Sequence, residues 1–246
     1  MQFAIPFWRA VSPYHQTHED WQKWIAQGQK STGLVACEVD LSFLSAIKRR
    51  RLSSVARLMF AAAWPLLAEH IHCPLVFVSH DGEVNRSFAL WQSFLQHEEL
   101  SPTSFALSVH NAIAGQWSLM RADMSENVAL SAKCNGLEIG ITEAYGLLQE
   151  GAEQVLVVVV DEPIKHEYEV IAERAPFPLA LALVITRGDQ TSLNYLVDAA
   201  QSTLTQGQQD ISYYTSTIAW IVQQLTGQTS RNQVDTHGVW QWKNNP

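Results

Sequence analysis

The chain has 246 residues, of which 47% are hydrophobic and 16% are charged, enough to bury a substantial core as one large domain or two small ones. Its formal net charge of −8 disfavours nonspecific binding to nucleic acid or anionic lipid, because Lys and Arg hold both partners. The longest apolar runs, 155–160 and 177–185, fall short of the roughly 18 residues of a membrane span. The amino terminus lacks a secretory signal pattern. We therefore expect a globular, cytoplasmic protein with no membrane span.

The amino-terminal part is predicted to be irregular before regular structure begins. Residues 1–33 are rich in Trp, Phe and polar residues without a clean period, and we expect them to wrap the surface before a first strand at 34–39. From Ser53 onward apolar residues recur every three or four positions. This spacing predicts a helix, whose last turn should be bent by Pro65.

A strand, a helix and a long apolar segment follow. A short buried strand is predicted at 75–78 and a helix over 88–95. The segment 105–120 is apolar with Ala and Gly interleaved, which predicts one helix packed on more than one side, inside the domain or against another subunit.

The next segment has the pattern of a βαβ unit. An apolar run at 128–130 precedes a helical stripe over 137–148, which ends at Gly151 in a position suited to a left-handed cap. The Val-rich run 155–160 has no polar alternation. Such a run is typical of a parallel strand covered on both faces.

The carboxyl-terminal part is predicted to contain two strands, a helix and a tail. Strands at 179–186 and 192–197 are separated by Arg187-Gly-Asp189, which suggests a hairpin. A helix is indicated over 211–225, and the polar segment 227–246 is predicted to be irregular. We expect one domain over 1–246, with a core at about 34–200 and a carboxyl-terminal helix and tail at 201–246.

Cys134 is the most informative residue for function. The three cysteines, at 37, 73 and 134, are odd in number and widely spaced, which argues against a disulfide framework or a zinc site. Cys134 lies in Ser131-Ala-Lys-Cys-Asn-Gly, between a predicted strand and a predicted helix. A thiol at a helix start has its pKa lowered by backbone N–H groups and the helix dipole. Cys134 is therefore either a nucleophile or a small buried residue that closes the junction.

Other polar groups predict no metal or cofactor site. The basic run 48–51 is a solvated helix start or an anion-binding patch. His70 and His72 have a metal-like spacing but no third ligand, so a solvated or capping role is favoured. Asp161 and Glu162 end a strand, where carboxylates usually cap loops or face solvent.

The order of these motifs resembles the amino-terminal half of β-ketoacyl synthases, over roughly residues 34–186. The resemblance is carried by Arg49-Arg-Arg-Leu-Ser-Ser54, the segment 101–115, the Ser131-Ala-Lys-Cys134 turn, and Gly151 before the Val-rich strand. The segment 101–115 is the most specific, and is similar to short ketosynthase-like proteins of aryl-polyene-type clusters. The resemblance implies an α/β, thiolase-like fold with a mixed central sheet and packed helices, and no cofactor.

The resemblance also implies a dimer in which 105–120 lies at the interface and the strand before Cys134 pairs with its twin. Cys134 falls at the position of the acyl-accepting cysteine, but Lys133 and Asn135 depart from the small residues usual there. The histidines that decarboxylate malonyl groups belong to the second half of that fold. His237-Gly238 is a weak match to them, since Val239 and Trp240 follow where hydroxyl residues are expected.

Two hypotheses follow. In the first, the chain is a non-catalytic subunit in the manner of a chain-length factor, which pairs with a full-length ketosynthase and meets acyl carrier protein through that complex. Its candidate tunnel and dimer residues are Phe105, Val109, Asn111, Ile113, Gln116 and Trp117. In the second, Cys134 accepts an acyl group itself and acts in transfer or priming.

Overall fold

The computed structural model describes residues 1–30, 32–68, 71–97, 100–169, 176–197, 213–235 and 237–245. The strands are β1 (Gln2–Val11), β2 (Leu75–Ser79), β3 (Asn127–Ser131), β4 (Gln154–Asp161), β5 (Leu179–Val197), β6 (Ser230–Val234) and β7 (Gly238–Asn244). The α-helices are α1 (His18–Ala26), α2 (Ala46–Arg50), α3 (Ser54–Ala63), α4 (Val84–His97), α5 (Pro102–Ala106), α6 (Ala112–Arg121), α7 (Gly136–Glu150) and α8 (Tyr213–Thr226). Short 3-10 helices lie at Trp64–Leu66 and His166–Tyr168.

The strands form one mixed sheet. Its order is β3-β2-β4-β5-β7-β6, and β1 also pairs with β5. The strands β3, β2 and β4 are parallel, whereas β1 and β4 run antiparallel to β5 and β7 runs antiparallel to both β5 and β6. β3 therefore lies at one end of the sheet, where the Cys134 turn begins.

Helices cover both faces of the sheet. Along β4, Val155, Val157 and Val159 belong to a core cluster with α7 and α8, and the alternate residues belong to a second cluster with α3 and α6. This alternation follows from the two-residue repeat of a strand. α7 lies so close to the sheet at Gly140 that a Cβ there would be 2.8 Å from Cγ2 of Val78.

Several predicted elements are confirmed. The helix after Ser53 is α3, followed by a 3-10 turn that contains Pro65. The predicted βαβ unit is β3, α7 and β4, with both strands paired in parallel to β2. Gly151 caps α7 with a φ of 119°. The α/β architecture, with a mixed central sheet and packed helices, is thus the one that the resemblance implied.

The prediction for the amino terminus is wrong. Residues 34–40 form no strand, whereas β1 and α1 occupy the segment expected to be irregular. β1 pairs with β5 through register shifts between Phe3 and Ala4 and between Ala4 and Phe7. These irregularities break the two-residue alternation by which a strand is identified in a sequence.

The predicted hairpin at 187–189 is also wrong, because β5 continues through it as one strand of 19 residues. The Arg187 guanidinium donates to the carbonyl of Leu148 at 2.8 Å, and a Cβ on Gly188 would be 2.8 Å from Cβ of Ala4. Packing against α7 and β1 thus keeps a turn-like sequence extended.

Two further segments differ from their predictions. The segment 227–246, expected to be irregular, contains the antiparallel pair β6 and β7, which buries Trp242 to 1% exposure. The single helix expected over 105–120 is divided into α5 and α6 by a turn at 107–111. Ser101 caps α5 and Pro102 begins it, so that helix has its own start signal. The first residues of the predicted 211–225 helix lie outside the described residues.

Candidate functional site: the Cys134 turn and the α5–α6 face

The Cys134 turn connects the terminal strand β3 to the start of α7. Cys134 is a free, partly exposed thiol. The next residue, Asn135, has φ 52° and ψ 36° and immediately precedes the helix. This left-handed conformation is uncommon for a residue other than glycine, although Asn tolerates it best. The turn therefore presents Cys134 beside the first N–H groups of α7.

Asp235, in the turn between β6 and β7, holds the Cys134 turn in place. The side-chain amide of Asn135 donates to Asp235 Oδ2 at 3.1 Å, and the Tyr195 hydroxyl donates to Oδ1 at 3.0 Å. The backbone N–H groups of His237 and Gly238 also donate to Oδ1, at 2.7 and 2.8 Å. Both oxygens of this carboxylate thus accept hydrogen bonds from groups that form the turn.

A second carboxylate lies buried behind the first turn of α7. Glu138 is 0% exposed. It accepts hydrogen bonds from the Ser216 hydroxyl at 2.5 Å and from Trp242 Nε1 at 2.8 Å, and it pairs with Arg231 Nη2 at 3.2 Å. Burial lowers the pKa of Arg231, an effect that Glu138 opposes. The group therefore links α7, α8 and the carboxyl-terminal strands.

The structure brings together two segments about 100 residues apart that no motif in the sequence connects. Residues 134–138 contact 231–242 through Asp235 and Glu138. His237 lies in this turn with its side chain exposed, and its backbone rather than its ring contacts Asp235. The carboxylates that lie nearest to the Cys134 turn, Asp235 and Glu138, thus act as structural hydrogen-bond acceptors. The sequence signal that was available is the presence of Arg231 and Trp242 in a segment predicted to be irregular.

The polar residues at the ends of β2 and β4 form a separate cluster. Asp161 accepts from the Ser79 hydroxyl at 2.8 Å and from the His80 N–H at 3.0 Å. His110 lies against this loop, with Nε2 2.9 Å from the Ser79 carbonyl oxygen. Asp161 thus caps a loop, as favoured for a carboxylate at a strand end. Within the described ranges, no three His, Cys, Asp or Glu side chains are grouped as a metal site requires.

The six candidate interface residues divide into an exposed group and a buried group. Phe105 is 61% and Val109 is 49% exposed, and Asn111 is also exposed. Ile113 and Trp117 belong instead to the core of this chain, at 0% and 1% exposure. They are buried because α6, as a separate helix, packs the side that carries them against α3.

Trp117 and Gln116 have specific surroundings on that side. The Trp117 ring packs edge-on against Phe60 and Trp64, so in this chain it is part of the core beside α3. Gln116 is 6% exposed and lines a pocket on the other flank of α6.

Two further exposed apolar residues, which were not predicted from the sequence, lie on α6 and just before β3. Leu119 on α6 is 81% exposed, and Met124, three residues before β3, is 89% exposed. We call Phe105, Val109, Leu119 and Met124 the α5–α6 face. The signal for Leu119 was present in the sequence, because it falls off the three-to-four-residue stripe that contains Ile113 and Trp117.

Comparison with known proteins identifies the family. The family model for the β-ketoacyl synthase, N-terminal domain, matches residues 21–243, well beyond the 34–186 of the resemblance. No curated protein matches the chain. None of the described helices is long and apolar enough to cross a membrane.

Solved structures show the same fold. The ketosynthase (ApeO) in complex with its chain length factor (ApeC) from Xenorhabdus doucetiae is similar at 24% identity and a TM-score of 0.82, covering 99% of this chain and 100% of that one. The ishigamide ketosynthase/chain length factor has 16% identity and a TM-score of 0.64, covering 81% and 68%. AntDE:AntF, a type II acyl-carrier protein in complex with its ketosynthase, has 11% identity and a TM-score of 0.65, covering 99% of both chains. The chain therefore belongs to the β-ketoacyl synthase N-terminal domain family, with a thiolase-like fold.

Proposed function

We propose that the chain, as a single domain over 1–246, is a chain-length-factor-like, non-catalytic subunit that pairs with a full-length ketosynthase. In this role it shapes the acyl tunnel of its partner in cytoplasmic type II biosynthesis of polyketide or aryl-polyene type, and meets acyl carrier protein through the complex. The proposal is supported by the similar solved structures, which include complexes of a ketosynthase with a chain length factor and with an acyl-carrier protein.

The observation that carries the proposal is the flank of β3 that no described strand pairs, together with the exposed apolar residues of the α5–α6 face. β3 ends the sheet, with β2 as its ladder partner, and its residues are only partly buried or exposed. Exposed strand edges and clustered apolar side chains both favour association with another chain. A partner strand added to β3 would extend the sheet and cover the neighbouring face together.

Phe105 is the candidate that would act on tunnel length. It lies at the end of α5 with 61% of its surface exposed, so its ring is free to enter a partner. Aromatic side chains that fill a partner's pocket dominate many interfaces. Removal of this ring should lengthen the space available to an acyl chain. Phe105→Ala is therefore expected to weaken the complex and, in the complex that still forms, to give longer products.

The surroundings of Cys134 support a role without chemistry at this thiol. Condensation needs a nucleophile and hydrogen-bond donors that stabilise the developing oxyanion. The Asp235 and Glu138 carboxylates that lie next to the turn are acceptors held by structural hydrogen bonds, and an acceptor does not stabilise an oxyanion. Cys134→Ala in the complex is accordingly expected to leave product formation unchanged.

Co-purification tests the pairing. We expect the chain alone to be insoluble or self-associated, and co-expression with its ketosynthase to give a soluble heterodimer in size-exclusion chromatography. Leu119→Asp and Met124→Asp place a charge on the α5–α6 face, and each should weaken the heterodimer by about 30-fold or more if the residue is an interface hot spot. Val35→Asp is the matched control, since Val35 is 80% exposed and distant in sequence. A stable monomer that ignores the ketosynthase would contradict the proposal.

The second candidate function is acyl transfer by Cys134, favoured by its partly exposed thiol at the start of α7. The thiolate would attack the carbonyl carbon of a carrier-bound thioester, forming a new thioester and releasing the carrier thiol. Intact-mass analysis after incubation with acyl-loaded carrier protein would show an added acyl group on the wild type and none on Cys134→Ala. An unmodified wild type whose Cys134→Ala complex still makes product would eliminate this function.

A further inference from the structure

A pocket with a volume of about 630 Å³ opens between α2 and the pair formed by α5 and α6. Most of its wall is apolar, including Ile47, Ala106 and Leu119. Its volume lies within the range of about 300–1,000 Å³ that is usual for small-molecule sites. Lys48 and Arg51 also line it, so the pocket combines an apolar wall with positive charge.

The two cations are available for a ligand. Lys48 and Arg51 are exposed, and neither forms an ion pair within the part of the chain that the structure describes. They lie in a run of four consecutive basic residues in a chain of net charge −8. Because a guanidinium and an ammonium both bind carboxylate and phosphate oxygens, the charge of this pocket selects an oxyanion.

Gln116 adds a buried acceptor to the same wall. Its Nε2 donates to the Arg51 carbonyl at 3.4 Å, which fixes the orientation of the amide. The Oε1 atom is then the group left over, and among the described residues it is buried without a hydrogen-bond partner. A buried acceptor without a donor is costly, so a ligand with an O–H or N–H group would improve this site.

We propose that this pocket binds an anionic amphiphile, namely a medium-chain carboxylate that carries a hydroxyl near its head. Lys48 and Arg51 hold the carboxylate, Gln116 accepts from the hydroxyl, and the chain lies along Ala106 and Leu119. All residues that line the site belong to this chain, and because Leu119 is shared with the α5–α6 face, ligand binding and pairing with a ketosynthase are measured separately.

Isothermal titration of the full chain, alone or in the complex in which it purifies, tests the site with 3-hydroxydecanoate, decanoate and 1-decanol. We expect 3-hydroxydecanoate to bind about fivefold more tightly than decanoate, the value of one net hydrogen bond. The uncharged 1-decanol should bind at least about tenfold more weakly than decanoate, since hydrogen bonds to charged groups contribute more. Equal binding of the acid and the alcohol would overturn the assignment of the cations.

Variants separate the parts of the pocket. Lys48→Ala combined with Arg51→Ala should weaken both acids and leave 1-decanol unchanged, whereas Arg50→Ala on the same helix is the matched control because Arg50 does not line the pocket. Gln116→Leu should make the two acids bind equally. Ala106→Trp fills the pocket from an exposed position, and should abolish specific binding of all three probes.

The control measurements keep the result unambiguous. Circular dichroism and thermal unfolding establish that each variant is folded, and heat measured with the ketosynthase alone is subtracted from that of the complex. Absence of binding to the wild type, or wild-type binding by the Lys48→Ala and Arg51→Ala double variant or by Ala106→Trp, would overturn the inference. A hydroxyl preference that survives Gln116→Leu would overturn the role of Gln116. Co-purification of the same variants with the ketosynthase is scored separately, which distinguishes failure of this site from failure of the proposed function.

Discussion

Replacement of Glu138 by Leu is expected to destabilise the protein strongly. The carboxylate is fully buried, and the Arg231 side chain that pairs with it is only 10% exposed. Removal of one partner of a buried pair leaves an uncompensated charge and costs about 3–5 kcal/mol. For a chain of this length each kcal/mol lowers the melting temperature by about 2–4 °C, so we expect a decrease of about 6–20 °C.

A second substitution tests the cause of that loss. Arg231→Met in the Glu138→Leu background removes the stranded charge, and an apolar pair can be as stable as a buried ion pair. The double variant should therefore recover at least half of the lost melting temperature, although Ser216 and Trp242 still lose an acceptor. Glu150→Leu is the matched control, because Glu150 is exposed on the same helix and should change stability by no more than about 0.5 kcal/mol.

Thermal unfolding followed by circular dichroism measures both effects. A decrease of less than about 3 °C for Glu138→Leu corresponds to roughly 1 kcal/mol, and would refute the argument that this carboxylate fixes the carboxyl-terminal strands to α7. A double variant that is even less stable than Glu138→Leu would show that the hydrogen bonds, rather than the charge, dominate.

Three other changes test separate features. Burial raises the pKa of Cys73 to about 11, so at pH 8 its thiolate population should be about a hundredfold below that of an unperturbed cysteine. In thiol-reagent kinetics Cys37 should therefore react first. A Cys73 that reacts as fast as Cys37 would contradict the buried environment. Gly140→Ala should destabilise the protein by about 1–3 kcal/mol through overpacking. Gly146→Ala, with nothing within 4 Å of the new Cβ, should instead stabilise it by about 0.4–1 kcal/mol. Equal melting temperatures for the two variants would count against the close approach of α7 to the sheet. Burial also raises the pKa of Glu83, so the native state binds more protons than the unfolded state in the window that begins at the usual Glu value of about 4.3. Stability is consequently lost as pH rises through that window, and Glu83→Gln should gain melting temperature over the wild type between pH 4.5 and 7; a relative loss would show the opposite sign.

Local patterns in the sequence predicted the parts of the fold whose environment is regular. β4 was identifiable because Val155 to Val160 are buried on both faces, so no alternation was needed. Gly151 was identifiable because its cap requires a positive φ. Both signals depend only on neighbouring residues.

Segments whose conformation depends on distant contacts were predicted wrongly. Arg187-Gly-Asp189 has the composition of a turn, yet Leu148 and Ala4 keep it extended. The position of the Cys134 turn in the chain was predictable, but its contact with Asp235 was not, because the two residues are about 100 positions apart. The exposure of Met124, on which the proposed interface also depends, likewise required the position of β3, whereas Leu119 was identifiable because it falls off the buried stripe of α6.

The pairing of β1 with β5 places a delay in the biogenesis of the protein. Residues 2–11 are joined to residues 180–192, and the Met1 ammonium donates to the carbonyl of Leu193 at 3.0 Å. At about 5–20 residues per second, a ribosome takes roughly 10–40 seconds to synthesise the intervening chain. During that interval the nascent β1 segment has exposed aromatic side chains and backbone groups that lack the hydrogen bonds of β5. Chaperone binding in this state would protect the segment from aggregation.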